Sequence, residues 1–270
     1  MFDSSRCDPR AYDDLVSVIV ELSRFITADH LMVVGARCRD ALHTAYGCTQ
    51  ALRGTTDADV ALALSNWQTF EAIRAEFAPI GQSGHRFSIL SIPVDVIPFG
   101  PIESPRGSSS HPPHDLTMNV HGFADAHARA WTLQVDDGLD LRFPPLGGYA
   151  ALKSHAWLDR GAENRTDKDG PDLGLTVHWI ANDIATLYDA HSDVVTQYEF
   201  DTEVAAAHLV GAEMRAVLSA TERQCLQDRF DSADLEHLAA HIRPPDCTWP
   251  VENDLSIINA IVSGLRDGSR

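Results

Sequence analysis

Arg53 to Leu64 reads RGTTDADVALAL, with two aspartates one residue apart at the head of a run that otherwise has the composition of a buried strand. Successive side chains of a strand point to opposite faces, so Asp57, Asp59, Ala61 and Ala63 share one face and Ala58, Val60, Leu62 and Leu64 the other. The bulky residues face a core. The two acids open a face lined by small alanines, with room for something to approach. A second apolar run, PVDVIPF at Pro93 to Phe99, carries Asp95 on the face opposite Val94 and Val96. If its strand neighbours the first, three carboxylates converge.

On the N-terminal side, Leu15, Val18, Ile19, Leu22 and Phe25 recur at helical spacing, so residues 12–25 read as an amphipathic helix. HLMVVGA, from His30, is a short buried strand ending at Gly35. RCRDALHTAYG is then a helix stopped by Gly47. Beyond the aspartate strand, NWQTFEAIRAEFAPI reads as a helix with Asn66 at its N-cap and Pro79 just past its end. HRFSILSIPVDVIPFG, from His85, alternates well enough for a pair of strands. Strands interleaved with helices over the first hundred residues argue an α/β domain. PIESPRGSSSHPPHD, from Pro101, is rich in Pro, Ser and Gly and reads as a loop. WTLQVDDGLDLRF, from Trp131, reads as a hairpin turning at Asp137-Gly138. Nearly everything after it is helical in pattern. The expected organisation is an α/β domain over residues 1–145 and a mainly helical domain over residues 146–270, with a seam near Pro144-Pro145 and no internal repeat.

At 270 residues and 44% hydrophobic, the chain can bury one large core or two modest ones. No apolar run of about 18 residues occurs, and MFDSSRCDPRAYDD lacks a signal-peptide pattern, so a cytoplasmic protein with no membrane partner is expected. Five cysteines lie far apart with no CxxC pair, which fits neither a zinc site nor a disulfide framework. With 21 basic and 39 acidic residues the formal charge is −18. A surface that negative disfavours extended binding along nucleic acid but allows a local contact with one RNA end. Thirteen histidines, including His111 and His114 of HPPH, bring no third ligand into view, so that segment reads as a surface loop. Trp131, Trp157 and Trp179 read as core.

Three carboxylates brought together raise one another's pKa, a cost that a divalent cation offsets. Mg²⁺, held by aspartates, water and substrate phosphate, is the natural occupant. On spacing alone, a turn cap at Asp57 and solvated edges at Asp59 and Asp95 account for the pattern equally well. Downstream, Lys153, Trp157 and Arg160 fall at i, i+4 and i+7 on one helix face. Asp169 and Asp172 flank Pro171, a pattern that suits a helical first turn.

Taken in order, VVGARCRDAL, RGTTDADVALAL, PVDVIPFG, ALKSHAWLDR and DKDGPDL resemble the nucleotidyltransferases of the AbiEii/AbiGii toxin type, within the DNA polymerase β-like superfamily. The resemblance covers residues 30 to 180. It implies a small mixed sheet carrying an aspartate triad, a helical C-terminal part completing a cleft, and transfer of a nucleoside monophosphate from an NTP with Mg²⁺. Asp57 and Asp59 match the paired metal ligands. Asp95 matches the third, which also serves as general base. Gly35, Ala36 and Arg37 fall at the turn where backbone amides approach the triphosphate. The superfamily commonly has a serine where this chain has Ala36; Arg37 or Arg39 is the candidate substitute. Arg53 and Thr55 match an R-x-T-x-D approach to the strand. Lys153 matches a lysine turned toward the phosphates, Arg160 suits phosphate contact, and Asp169 or Asp172 would position these cations. Relatives suggest a tRNA 3′ end or a protein hydroxyl as acceptor, and a cognate antitoxin as partner. Two alternatives stand: an aminoglycoside nucleotidyltransferase, for which an acidic surface would attract a polycationic drug, and a degenerate nucleotide-binding module.

Overall fold

Leu15, Val18, Ile19 and Leu22 are all buried along one side of helix α1 (Asp13–Leu22), and Asp13 and Asp14 occupy its dipole-favoured first turn. Phe25 lies beyond the helix end and meets the Phe77 ring edge-on at 5.9 Å. The structure, a computed structural model, describes residues 2–111, 116–136, 138–160, 168–245, 247 and 249–267. The chain divides into two compact units. One takes Asp3–Ala45 and Thr49–Pro145; the other runs from Leu146 onward and includes Phe2 and Tyr46–Cys48.

In the first unit, strand β1 (Leu31–Val34) is buried at every residue and runs directly into α2 (Gly35–Ala45). Strand β2 (Ala58–Ala63), helix α3 (Gln68–Glu76), β3 (Ala78–Pro79), β4 (Arg86–Ile89) and β5 (Ile92–Phe99) follow. They form one sheet in the order β1-β2-β5-β4-β3, in which β2 and β5 are parallel and the other pairs antiparallel. The α/β class and small mixed sheet expected from the sequence are therefore present. Three local readings change. Strand β2 starts at Ala58, so Asp57 precedes the ladder. Asn66 does not cap α3 from the N-cap position, which Trp67 holds; its Oδ1 accepts from Gln68 N–H at 3.0 Å, one residue upstream of the cap. Pro79, expected as a helix stop, lies in β3 opposite Phe87.

The stretch after Gly100, read as a loop, carries a hairpin of β6 (Ser108–His111) and β7 (Leu116–Asn119). Its serines have low strand propensity, but Ser109 and His111 are buried, and tertiary packing overrides propensity. The His111 ring lies 4.6 Å from Trp67 and 5.3 Å from Phe70, with Nε2 2.6 Å from Glu71. His114, its partner in HPPH, lies outside the described residues. Helix α4 (Phe123–Ala128) leads into the hairpin of β8 (Trp131–Asp136) and β9 (Leu139–Phe143). Gly138 takes φ +89° there, and Asp137 lies outside the described residues.

The second unit is helical: α5 (Leu146–Arg160), α6 (Asp169–Ala181), α7 (Ile184–Ala190), α8 (Ser192–Gln197), α9 (Thr202–Val217), α10 (Ala220–Asp231), α11 (Leu235–Ala239) and α12 (Asp254–Arg266). Part of the acidic excess serves as caps: Asp183, Asp201 and Asp234 accept backbone N–H groups at the starts of α7, α9 and α11. Glycines let backbones touch. A Cβ at Gly211 would stand 2.0 Å from the Ile261 carbonyl oxygen, and one at Gly264 1.9 Å from that of His208, so α9 and α12 meet with no side chain between them. Gly170 and Gly174 of α6 similarly abut the carbonyls of His241 and Ile242. Trp179 and Trp249 are among the largest buried side chains, and Tyr46 stacks on Trp179 at 5.9 Å and 11°. Among the described residues no helix is long and apolar enough to cross a membrane.

Candidate functional site

Register brings the acids together. In the parallel β2–β5 ladder Asp59 stands directly opposite Asp95, so their side chains rise from the same face of neighbouring strands about 4.8 Å apart. The same row continues to Val34 on β1 and to Arg86 on β4, giving Val34, Asp59, Asp95 and Arg86 across four strands. Arg86 spans two of the acids: Nη1 donates to Asp95 Oδ2 at 3.0 Å and Nη2 to Asp57 Oδ2 at 3.2 Å. His85 Nε2 lies 3.9 Å from Asp95 Oδ1, within reach of an ion pair when the ring is protonated. Thr55 Oγ1 donates to Asp57 Oδ1. That bond, with Arg86 behind it, holds the Asp57 carboxyl below the usual carboxylate range against the opposing effect of burial.

Gly35 opens α2 with φ +63°, and a Cβ built on it would come 1.9 Å from Asp59 Oδ2. The turn from β1 to α2 thus lies directly against the Asp59 carboxylate, and glycine is the residue that permits both the dihedral and the approach. Ala36 follows half-buried and carries no hydroxyl. The two arginines offered as substitutes are engaged in the scaffold. Arg37 Nη2 bonds Asp14 of α1. Arg39 is buried, bonds Asp40 through Nε at 2.9 Å, and donates from Nη2 to the Arg53 carbonyl at 2.6 Å, tying α2 to the approach to Asp57. Arg53 itself is exposed.

In the helical unit, the cations and acids singled out from the sequence form one cluster. Lys153 Nζ donates to Asp172 Oδ2 at 2.6 Å and Asp169 Oδ1 at 3.2 Å, while Arg160 Nε donates to Asp169 Oδ2 at 2.9 Å. Asp169 and Asp172 are buried, and Lys153 Nζ lies 5.6 Å from the Tyr149 ring centroid. Burial pulls the Lys153 ammonium down, but Asp172 and then Asp169 carry it above its ordinary value. The i, i+7 spacing did put both cations on one face. A cavity of about 1180 Å³ in the same unit is lined by Trp157, Gln224, Cys225, Arg229 and His237 among others, and none of this cluster lines it.

Sequence reasoning missed Arg86 and His85. Arg86 opens β4 and His85 immediately precedes it, within a stretch read as strand, but their partners depend on the β4–β5 register.

Asp59 and Asp95 on the two neighbouring interior strands, with Asp57 just before β2, suit Mg²⁺ by donor type, and Arg86 shows that Asp57 and Asp95 can serve one cationic centre. Among the described residues, however, no group of three His, Cys, Asp or Glu side chains is arranged to hold an ion as it stands. The guanidinium occupies the space between two of the acids. Comparison with protein families, with curated proteins and with solved structures returns no match.

Proposed function

We propose that this chain is a Mg²⁺-dependent nucleotidyltransferase that moves a nucleoside monophosphate from an NTP to an acceptor hydroxyl. The observation that carries the reading is the opposition of Asp59 and Asp95 on parallel strands, with the Gly35 turn and the start of α2 against the Asp59 carboxylate. Asp57, Asp59 and Asp95 are the residues that would hold the metal. Bound there, Mg²⁺ would acidify the acceptor hydroxyl and neutralise the leaving pyrophosphate. Asp95 takes the hydroxyl proton, the oxygen bonds to the α-phosphorus, and the bond from that phosphorus to the bridging oxygen of pyrophosphate breaks. Backbone N–H groups of the first turn of α2 face the phosphates, since Ala36 offers no hydroxyl. In this reading Arg160, more exposed than Lys153, is the cation offered to a phosphate oxygen, while Lys153 is held by Asp169 and Asp172.

In this reading the acceptor is a tRNA 3′ end or a protein hydroxyl, the setting is a toxin with a cognate antitoxin, and a charge of −18 favours protein over RNA. The same charge favours a polycationic aminoglycoside, so that drug belongs in the assay. Labelled NTPs, Mg²⁺, total tRNA, candidate proteins and an aminoglycoside are incubated with the full chain. Transfer by the wild type and a loss of at least about a hundredfold in Asp95→Asn are expected. Undiminished transfer in Asp57→Ala or Asp95→Asn would remove these acids from the chemistry. NTP binding by calorimetry with no transfer to any acceptor would establish the second reading, a nucleotide-binding module without turnover, which Ala36 and the Arg86 bridge favour.

A further inference from the structure

We propose that Arg86 is the internal counter-cation of the aspartate site and that a divalent cation binds there by displacing it. The inference rests on the metal-dependent reading above and adds a competition to it. Asp57 and Asp95 are joined by the fork of one guanidinium, 3.2 and 3.0 Å from their oxygens, and Asp59 stands beside Asp95 in the same row. Carboxylates so close repel one another unless a positive charge lies among them, and in this arrangement that charge is covalently part of β4. An ion seeking oxygens of Asp57 and Asp95 meets hydrogen-bonded oxygens and a like charge at the same place.

The bond is one that can be surrendered. The Arg86 side chain is 33% exposed, that of Asp57 31% and that of Asp95 18%, so the guanidinium can swing toward water without leaving a buried orphan. Arg86 therefore weakens cation binding without forbidding it, and its guanidinium holds the acids together when no metal is present.

The test is calorimetric titration of Mn²⁺ into the full-length protein, comparing wild type with Arg86→Gln and Arg86→Lys, and with Asp59→Asn to locate the site. Arg86→Gln is expected to bind Mn²⁺ at least about tenfold tighter, and Arg86→Lys, which keeps a charge but loses the fork, about threefold tighter. If Arg86→Gln fails to fold by circular dichroism, the lysine variant decides. Binding that is lost in Asp59→Asn but unchanged or weaker in the Arg86 variants overturns the competition and leaves the metal site standing. No Mn²⁺ binding by any of the proteins removes both.

Discussion

At Gly35 a left-handed dihedral and a neighbouring carboxylate claim the space a side chain would need. Gly35→Ala is expected to destabilise the fold by about 1–2 kcal/mol through the dihedral alone, and to push the Asp59 carboxylate from its place. Denaturant midpoints check it against Gly54→Ala, where nothing lies within 4 Å of the added methyl and little change is expected. A Gly35→Ala midpoint equal to that of Gly54→Ala would show that the turn tolerates a side chain. Asp59 and Asp95 were legible at this scale because strand alternation assigns faces from sequence alone, whereas Asp57 lies before the ladder and meets Asp95 through Arg86. Arg86 was not, because its partners depend on the turn. The β4–β5 turn is made by Leu90 and Ser91 at φ 51° and 66°, without the Asn-Gly or Asp-Gly pair that marks such hairpins, so the pairing of Arg86 with Asp95 could not be counted out from it.

The closest approaches between elements are made where side chains are missing. Gly211 and Gly264 each face a carbonyl oxygen of the opposite helix, so a methyl at either must force α9 and α12 apart. Gly264→Ala is expected to cost about 1–3 kcal/mol, read from denaturant midpoints. Once the helices have parted, the second methyl meets less resistance, so Gly211→Ala with Gly264→Ala should cost less than the two singles together. Strict additivity would mean that the two glycines do not share one interface. Helices were readable from periodicity and caps, but this contact was not, since a glycine within a helical run looks only like a weak helix former. The β6–β7 hairpin was hidden for a related reason. Ser109 and His111 are buried there, His111 against Trp67 and Phe70, whereas composition pointed to a loop.

The formal charge of −18 acts on the molecule as a whole. Raising monovalent salt from about 0.01 to about 0.15 M shortens the screening length from about 30 to about 8 Å, so the melting temperature is expected to rise by several degrees as self-repulsion fades. Scanning calorimetry across that range checks it, and a falling melting temperature would mean that attractive pairs outweigh the net repulsion. The α/β class and the helical C-terminal half were visible from the alternation of periodicities. What the linear pattern could not show is that Tyr46–Cys48, between α2 and β2, belongs to the helical unit. There Tyr46 lies flat on Trp179 and the Asn182 amide reaches Cys48 Sγ at 3.9 Å. Part of that unit's interior is thus translated a hundred residues before its first long helix and must wait for it. Nor does the segment from Leu146 onward amount to a transplantable cassette: grafted elsewhere, it would leave behind the ring that shields its own tryptophan.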